Sequence, residues 1–242
     1  MYQAYLDVIK SLLDRLACEQ KEIMEQASQA LGNTLQQDGI IYLFGCGHSH
    51  MLAEEGFYRA GGLGAVCPIL QSDLMLHEGA VKSSALERRA ELAQEVLLRY
   101  PMTKKDSLIV FSTSGINGLP VEMARLAMER GVNTVGVSSS AYWQSPSRHP
   151  MGLHLHQACH FAIDTGAPHG DACYSLQGME GSMGPVSTIL GAYILNCLLA
   201  RAAEWSAAQG TAPAVYFSGN VEGGREKNEE TIQRYRHRIR SM

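Results

Sequence analysis

The chain has 242 residues, of which 45% are apolar and 18% are charged, and its formal net charge is −4. This composition is typical of a globular protein and excludes a disordered one. A chain of this length buries about 70% or more of the surface that its unfolded form exposes, so it needs no disulfide or metal to hold a core together. The slightly acidic balance argues against a nucleic-acid groove and against binding to an acidic membrane surface.

The first residues and the cysteines indicate where the protein works. The start, M-Y-Q-A-Y-L-D-V-I-K, lacks a cationic region followed by an apolar block, which predicts that there is no secretory signal. The six cysteines include no C-x-x-C pair and several stand in apolar runs, a pattern typical of reduced core thiols. We therefore expect a cytoplasmic protein, with neither nucleic acid nor a membrane as a partner.

The predicted elements alternate between helices and short apolar strands. Apolar residues at helical spacing predict one long helix, or two, over residues 2–37. Five strands follow, in I-I-Y-L-F, A-V-C-P-I-L, S-L-I-V-F, N-T-V-G-V-S-S and H-F-A-I-D-T-G. A helix is predicted between the first two strands, from M-L-A-E-E to the glycines at 61, 62 and 64. A strongly apolar helix opened by Pro185 follows the fifth strand and a glycine-rich stretch.

This alternation predicts an α/β fold, because parallel strands need helices on both faces of their sheet. We expect a three-layer α/β/α sandwich with a five-stranded parallel sheet. Residues 1–38 would form an N-terminal helical segment that packs on the core or on a second subunit, and residues 39–242 would form the α/β domain.

Residues 107–118, S-L-I-V-F-S-T-S-G-I-N-G, are the most informative stretch. An apolar strand runs into a loop of hydroxyls, glycines and an asparagine. A helix pattern follows, with Pro120 in its first turn and Gly131 at its end. Hydroxyls, backbone N–H groups and the positive end of a helix dipole suit a dianionic phosphate. No Lys or Arg lies in the loop, so neutral donors would hold the anion; the alternative is that the serines only cap a helix.

A second loop, G-C-G-H-S at 45–49, follows the first strand. Alone it is typical of a tight turn. It is not a dinucleotide fingerprint, since the third glycine and the acidic ribose ligand are absent, so we expect no NAD. Ligands of parallel sheets bind beyond the carboxyl ends of the strands at a topological switch point. Both loops would lie on that edge, which predicts a single anion site there.

The two loops together resemble those of the SIS (sugar isomerase) domain family of phosphosugar isomerases and phosphosugar-binding regulators. That family carries a first loop of type G-x-G-x-S and a second of type S-x-S-G-x-T, which here stand at 45–49 and 112–117, with Asn117 where the family usually has Thr. The resemblance extends through S-R-H-P, the strand with Asp164 and G-P-V-S-T, and covers most of residues 38–205. The chain is most similar to a single-domain bacterial group of phosphosugar isomerase-like proteins. That group also carries P-H-G-D and a C-terminal S-x-N-x-x-G, here Ser218, Asn220 and Gly223.

The resemblance implies a doubly wound SIS-type fold and a phosphorylated sugar as ligand, with no cofactor. The residues expected to hold the phosphate are Ser49, Ser112, Thr113, Ser114, Gly115 and Asn117. The residues expected to contact the sugar are Gly47, His48, Arg59, Glu78, His169 and Asp171. For Asp171, the alternative is a purely structural turn.

An aldose–ketose isomerase passing through an enediolate needs a general base and a donor for the developing oxyanion. The expected bases are Glu55, His50 and His77. Phosphoheptose isomerases and N-acetylmuramic acid 6-phosphate etherases carry a catalytic-type glutamate ten residues after the loop serine, where this chain has Arg59. Arginine cannot act as a base but can grip an anion. Glu55 lies one turn earlier, and the alternative is that it only pairs with Arg59.

Two other functions stay open at this point: a phosphosugar-binding sensor without turnover, and a lyase or etherase acting on an amino-sugar phosphate. No histidine or cysteine pair stands at a recognised zinc spacing, so no metal is expected. The N-terminal helix and the apolar helix after Pro185 offer more apolar surface than one small sheet needs. We therefore expect a homodimer, or possibly a tetramer, with pockets near the subunit boundaries. The family resemblance adds to this expectation.

Overall fold

A five-stranded parallel sheet lies at the centre of the computed structural model, which describes residues 2–178 and 180–242. The strands stand in the order β2-β1-β3-β4-β5, and every neighbouring pair is parallel. Their bounds are β1 Ile41–Gly45, β2 Val66–Pro68, β3 Ser107–Phe111, β4 Asn133–Ser138 and β5 Phe161–Asp164. The predicted five-stranded parallel sheet is confirmed.

Helices cover both faces of this sheet, as predicted. Their bounds are α1 Tyr2–Glu19, α2 Lys21–Gln36, α3 His50–Glu55, α4 Ala80–Leu86, α5 Leu92–Leu98, α6 Gly118–Glu129, α7 Ser187–Ala208 and α8 Gly224–Tyr235. On one face, α2 packs against α7 and on β3 to β5, while α3 packs against α7 and β1. On the other face, α6 packs on β3 and β4 and against α5. The N-terminal helical segment is therefore two helices, and the second of them is part of the layer.

The strands of the centre are buried along their whole length. All five residues of β1 and all five of β3 are buried, and Phe44 and Phe111 are the largest fully buried side chains. A strand covered on both faces has no solvent side, so its sequence is continuously apolar rather than alternating. This is why I-I-Y-L-F and S-L-I-V-F predicted strands correctly.

Two elements differ from the expectation. The helix after β1 ends at Glu55 instead of reaching the glycines, because Tyr58 adopts a left-handed φ of 46° and the chain turns to pair Leu63 with Val215. A β-hairpin, β6 Ala172–Ser175 with β7 Ser182–Pro185, occupies the glycine-rich stretch before α7. Pro185 therefore ends a strand, and α7 begins at Ser187.

Among residues 2–178 and 180–242, no helix combines the length and the apolar character needed to cross a membrane.

Candidate functional site

The topological switch point of the sheet lies between β1 and β3. From β1 the chain crosses outward to β2 and then returns to β3 on the opposite side of β1, so the connections leave the two central strands in opposite directions. Such a divergence opens a crevice beyond the carboxyl ends of the strands. Gly45 pairs in register with Phe111, so the loops that follow begin side by side, about 4.8 Å apart. The structure thus brings together the two loops that the sequence singled out.

The first loop folds back over the end of β1. A Cβ atom on Gly45 would lie 2.5 Å from the carbonyl carbon of Ser49 and 2.9 Å from its Cβ, so only glycine permits this close approach. A 3-10 turn, Gly47–Ser49, leads into α3 and leaves His48 exposed. Ser49 stands at the N-cap position of α3, yet its side chain makes no capping hydrogen bond. The hydroxyl of Ser49 is therefore available to a ligand.

The second loop is built around a buried serine and a left-handed glycine. The Ser112 hydroxyl accepts a hydrogen bond of 3.3 Å from the Gly115 N–H, and Gly115 has a φ of 61°. A Cβ atom on Gly115 would lie 3.0 Å from the Cβ of Ser138 on the neighbouring strand. Thr113 and Ser114 are half-buried, and neither their hydroxyls nor their backbone N–H groups have a hydrogen-bond partner within the described ranges. These four donors lie in one short turn at the switch point.

The N-terminal end of α6, the helix that follows this loop, is partly covered by another segment of the chain. Asn117 is the N-cap residue of α6 but makes no capping hydrogen bond with its side chain. The Leu119 N–H in the first turn of α6 donates to the Glu87 carbonyl at 3.0 Å, because the connection between α4 and α5 lies across the helix end. The available donors at this edge are thus those of the loop itself rather than those of the whole first helical turn.

Two charged residues that the sequence did not assign to the site, Arg148 and Glu87, lie near Asn117. Arg148 Nη1 donates to Asn117 Oδ1 at 2.6 Å. Burial raises the pKa of the Glu87 carboxyl, and hydrogen bonding to Asn117 and the charge of Arg148 oppose this effect. Burial raises the pKa of the Cys46 thiol, and the charge of Glu87 raises that pKa further. The Glu87 carboxyl therefore lies near Asn117 of the second loop and close enough to Cys46 of the first loop for its charge to act there.

The expected base His50 lies beneath the first loop. It is 3% exposed, its Nδ1 is 3.7 Å from Glu54 Oε1, and its Nε2 is buried without a hydrogen-bond partner in the part of the chain that the structure describes. Burial lowers the pKa of His50, which favours the neutral imidazole. His77 is close enough for its charge to lower that pKa further. His77 itself is exposed, 3.6 Å from the Glu78 carboxylate.

Glu55 and Arg59 lie away from the crevice of their own chain. Glu55 forms an ion pair with Arg59 and accepts a 3.2 Å hydrogen bond from Asn196 on α7. Arg59 belongs to the connection that enters β2 at its amino end, opposite the edge where the two loops lie. There it lines a cavity of about 500 Å³ together with Tyr58, Tyr216, Ser218 and Asn220. The structure therefore does not bring Glu55 or Arg59 to residues 112–117 within one chain.

His169 and Asp171 follow β5 at the carboxyl edge of the sheet, but both side chains already have partners. The Asp171 carboxylate accepts hydrogen bonds from the Val186 N–H, the Ser187 N–H and the Ser187 hydroxyl at 3.1, 2.8 and 2.6 Å. Asp171 thereby caps α7, and it does so from a left-handed φ of 60°. The His169 ring stacks on Tyr142 with 4.4 Å between centroids. Across the described ranges, no three His, Cys, Asp or Glu side chains are grouped as a metal site.

Comparison with known sequences gives one family. The SIS domain model matches residues 4–139, more than half of the chain. A UPF0309 protein of Halalkalibacterium halodurans is 42% identical over 240 residues, which cover 99% of this chain and 96% of that protein. A UPF0309 protein of Caldanaerobacter subterraneus is 40% identical over 246 residues, with full coverage of both chains.

Solved structures share the fold at much lower identity. Phosphoheptose isomerase GmhA from Neisseria gonorrhoeae superposes with a TM-score of 0.52 at 14% identity, over 85% of this chain and 97% of that one. The Vibrio vulnificus NanR protein, solved in complex with ManNAc-6P, gives a TM-score of 0.51 at 13% identity, over 99% of this chain and 70% of that one. The family model covers more than half of the chain, and the chain belongs to the SIS domain family.

Proposed function

We propose that the crevice at the switch point binds a phosphorylated sugar, and that the protein is an aldose–ketose isomerase acting through an enediolate. The observation that carries the proposal is a set of donors in two adjacent loops that have no hydrogen-bond partner among the residues that the structure describes. These donors are the Ser49 hydroxyl and the hydroxyls and N–H groups of Thr113 and Ser114. Hydrogen bonds from such donors to an anion are about twice as strong as those between neutral groups.

In this proposal Ser49, Thr113 and Ser114 contact the phosphate directly. Ser112 and Gly115 hold the loop in shape, since the Ser112 hydroxyl already accepts the Gly115 N–H. Asn117 connects the loop to Arg148. Arg148 thus adds a positive charge that the loop sequence lacks, and this charge favours a dianion over a neutral sugar.

The general base that we propose is Glu87. Its carboxyl lies near Cys46 of the first loop and Asn117 of the second, and burial raises its pKa, which suits a group that must both accept and return a proton. The carboxylate would take the proton from the carbon beside the carbonyl, and the resulting carboxylic acid would return it to the former carbonyl carbon, while the hydroxyl proton passes from one oxygen of the enediolate to the other. No external oxidant or reductant is needed, because the sugar is oxidised at one carbon and reduced at the next. His50 and His77 remain alternatives at the first loop, and Glu55 requires a crevice completed by another subunit.

A sensor without turnover is the second candidate. It is favoured by the fold shared with the NanR protein, which was solved with ManNAc-6P bound. Binding without chemistry needs the same phosphate loop but no base. The two functions therefore differ in what Glu87 does, not in where the ligand lies.

The test is proton exchange in heavy water. The protein is incubated with hexose, heptose and N-acetylamino-sugar phosphates, and the sugars are followed by NMR. With the wild type we expect deuterium at the carbon beside the carbonyl of one sugar. Glu87→Gln should lose this exchange. Glu95→Gln is the matched control and should retain it, because Glu95 is an exposed carboxylate on α5 that pairs with Arg99.

Each other outcome has a separate meaning. Thermal stabilisation by a sugar phosphate without exchange would support the sensor, and loss of a substituent from an amino-sugar phosphate would support the lyase or etherase. Loss of exchange in Glu55→Gln but not in Glu87→Gln would return the base role to Glu55. No binding of any sugar phosphate would refute the proposal. The expected homodimer or tetramer stays a prediction, which light scattering of the purified protein can test.

A further inference from the structure

Residues 140–158, which connect β4 to β5, lie across the second loop; we name this segment the strap. The Arg148 N–H donates to the Ile116 carbonyl and the Leu155 N–H donates to the Gly115 carbonyl, both at 2.8 Å. The strap backbone is thus hydrogen-bonded to carbonyl groups of the loop, and the N–H groups of Thr113 and Ser114 have no partner in the described part of the chain.

His149 forms a further anchor of the strap, on α6. Its side chain is almost fully buried, and its Nε2 lies 2.8 Å from Glu122 Oε2. The Met151 N–H donates to His149 Nδ1 at 3.3 Å, so Nδ1 is an acceptor. The ring proton is therefore on Nε2, which donates a hydrogen bond to Glu122 Oε2. Arg125 also donates to Glu122 through Nε and Nη2, at 2.7 and 2.8 Å. These hydrogen bonds lower the pKa of Glu122, which keeps it ionised as an acceptor for His149.

Arg148 is adjacent to this anchor, and its side chain reaches the crevice. Nη1 of Arg148 donates to Asn117 Oδ1, and its charge acts on Glu87. Within the described ranges, no carboxylate oxygen lies within 4.0 Å of the Arg148 guanidinium, whereas Arg125 and Arg201 are each paired with glutamates. Arg148 therefore offers a guanidinium whose charge is not neutralised by a direct partner.

A long exposed arginine side chain loses rotamer freedom when it is held in one conformation, and this loss opposes binding. The His149 anchor fixes the Arg148 backbone, and so reduces the freedom that is left to lose when an anion binds. Preorganisation of this kind increases affinity without adding any contact to the ligand.

We propose that His149 is a positioning residue: its hydrogen bond to Glu122 holds the strap so that the Arg148 guanidinium stands at the rim of the crevice and binds the anionic group of the sugar phosphate. This inference rests on the proposed function and adds to it the residue that recognises charge and the residue that places it.

The test compares two amides at position 149 in the full chain. The side-chain nitrogen of Gln reaches about as far as His Nε2, whereas that of Asn is one methylene shorter. His149→Gln should therefore keep the hydrogen bond to Glu122, and His149→Asn should lose it. The affinity for inorganic phosphate and for the tightest-binding member of the sugar phosphate panel is measured by titration calorimetry for the wild type, both variants, Arg148→Ala and the double variant Arg148→Ala/His149→Asn. His160→Asn is the control, since His160 bonds Thr134 at the amino end of β4, away from the crevice.

We expect His149→Asn to weaken binding by about tenfold, the value of one hydrogen bond to a charged group. His149→Gln should stay close to the wild type. The double variant should bind no more weakly than Arg148→Ala alone, because a residue that acts through Arg148 has no effect once Arg148 is gone. If His149 had a purely structural role, the losses of affinity in the two single variants would instead multiply in the double variant.

Wild-type affinity in His149→Asn, multiplying effects in the double variant, or an equal loss in His160→Asn would each overturn this inference and leave the proposed function standing. Absence of wild-type binding to every sugar phosphate would overturn the proposed function, and the inference with it.

Discussion

Replacement of Gly45 by alanine tests whether the first loop requires a glycine at the point where it folds back over the end of β1. The added methyl carbon would stand 2.5 Å from the Ser49 carbonyl carbon, whereas carbon atoms pack at about 3.5 Å or more. Ser49 must therefore move by about 1 Å, and its backbone cannot rotate away as a flexible side chain could. Overpacking of this kind costs about 1–3 kcal/mol of unfolding free energy. A 1 Å shift also breaks a hydrogen bond from the Ser49 hydroxyl to a phosphate, worth about 1.5–3 kcal/mol, so affinity should fall by about tenfold or more.

Urea unfolding and phosphosugar titration measure the two effects separately. Gly219→Ala is the matched control, because a Cβ atom there meets only Arg225 Cγ, at 3.9 Å, and neither quantity should change. Gly45→Ala with wild-type affinity would show that Ser49 does not contact the ligand. Gly45→Ala with wild-type stability as well would refute the packing argument itself.

Three further changes probe the other parts of the crevice. Ser114→Ala should lower phosphosugar affinity by about 1–3 kcal/mol while leaving the urea midpoint unchanged, and equal affinity for every tested sugar phosphate would reject the assignment. Asp171→Ala removes the cap of α7 and should lower the unfolding free energy by about 0.5–2 kcal/mol, with little change in binding if its role is only structural. Glu87→Gln should become more stable relative to the wild type as pH rises above about 4.3, the ordinary pKa of a glutamate. The reason is that the folded pKa of Glu87 is raised, so its contribution to stability is full below the unfolded pKa and is lost as pH rises through the folded one. A stability difference that does not vary with pH would contradict the buried, destabilised carboxylate.

The strands were predictable because burial on both faces leaves a simple sequence signal. Runs such as I-I-Y-L-F and S-L-I-V-F have no polar side to preserve, and glycine or hydroxyl loops end them. The two loops of the crevice were predictable for the same reason, since they follow directly from strand ends. The strand order was not visible in the sequence, so the adjacency of Gly45 and Phe111 depended on the family resemblance and on the switch-point rule.

The charged part of the crevice was not predictable, because it is assembled by contacts between distant segments. Arg148 meets Asn117 across 31 positions of the chain. The motif S-R-H-P contributes to the family resemblance, but it does not indicate which residue Arg148 contacts. Glu87 stands in a polar helical stretch that has no distinguishing spacing. The same limit explains the hairpin before α7, whose residues lack an apolar run, and the early end of α3 at Glu55, which a left-handed Tyr58 permits.

The register between β1 and β3 has a practical consequence for ligand discovery. The two halves of the crevice come from strands far apart in the chain, so the unfolded protein contains no binding site at all. Any ligand then shifts the equilibrium towards the folded state by mass action, and a compound present at a hundred times its dissociation constant adds about 2.7 kcal/mol to the unfolding free energy. A melting-temperature screen over a library of phosphorylated metabolites can therefore rank ligands before any reaction is known.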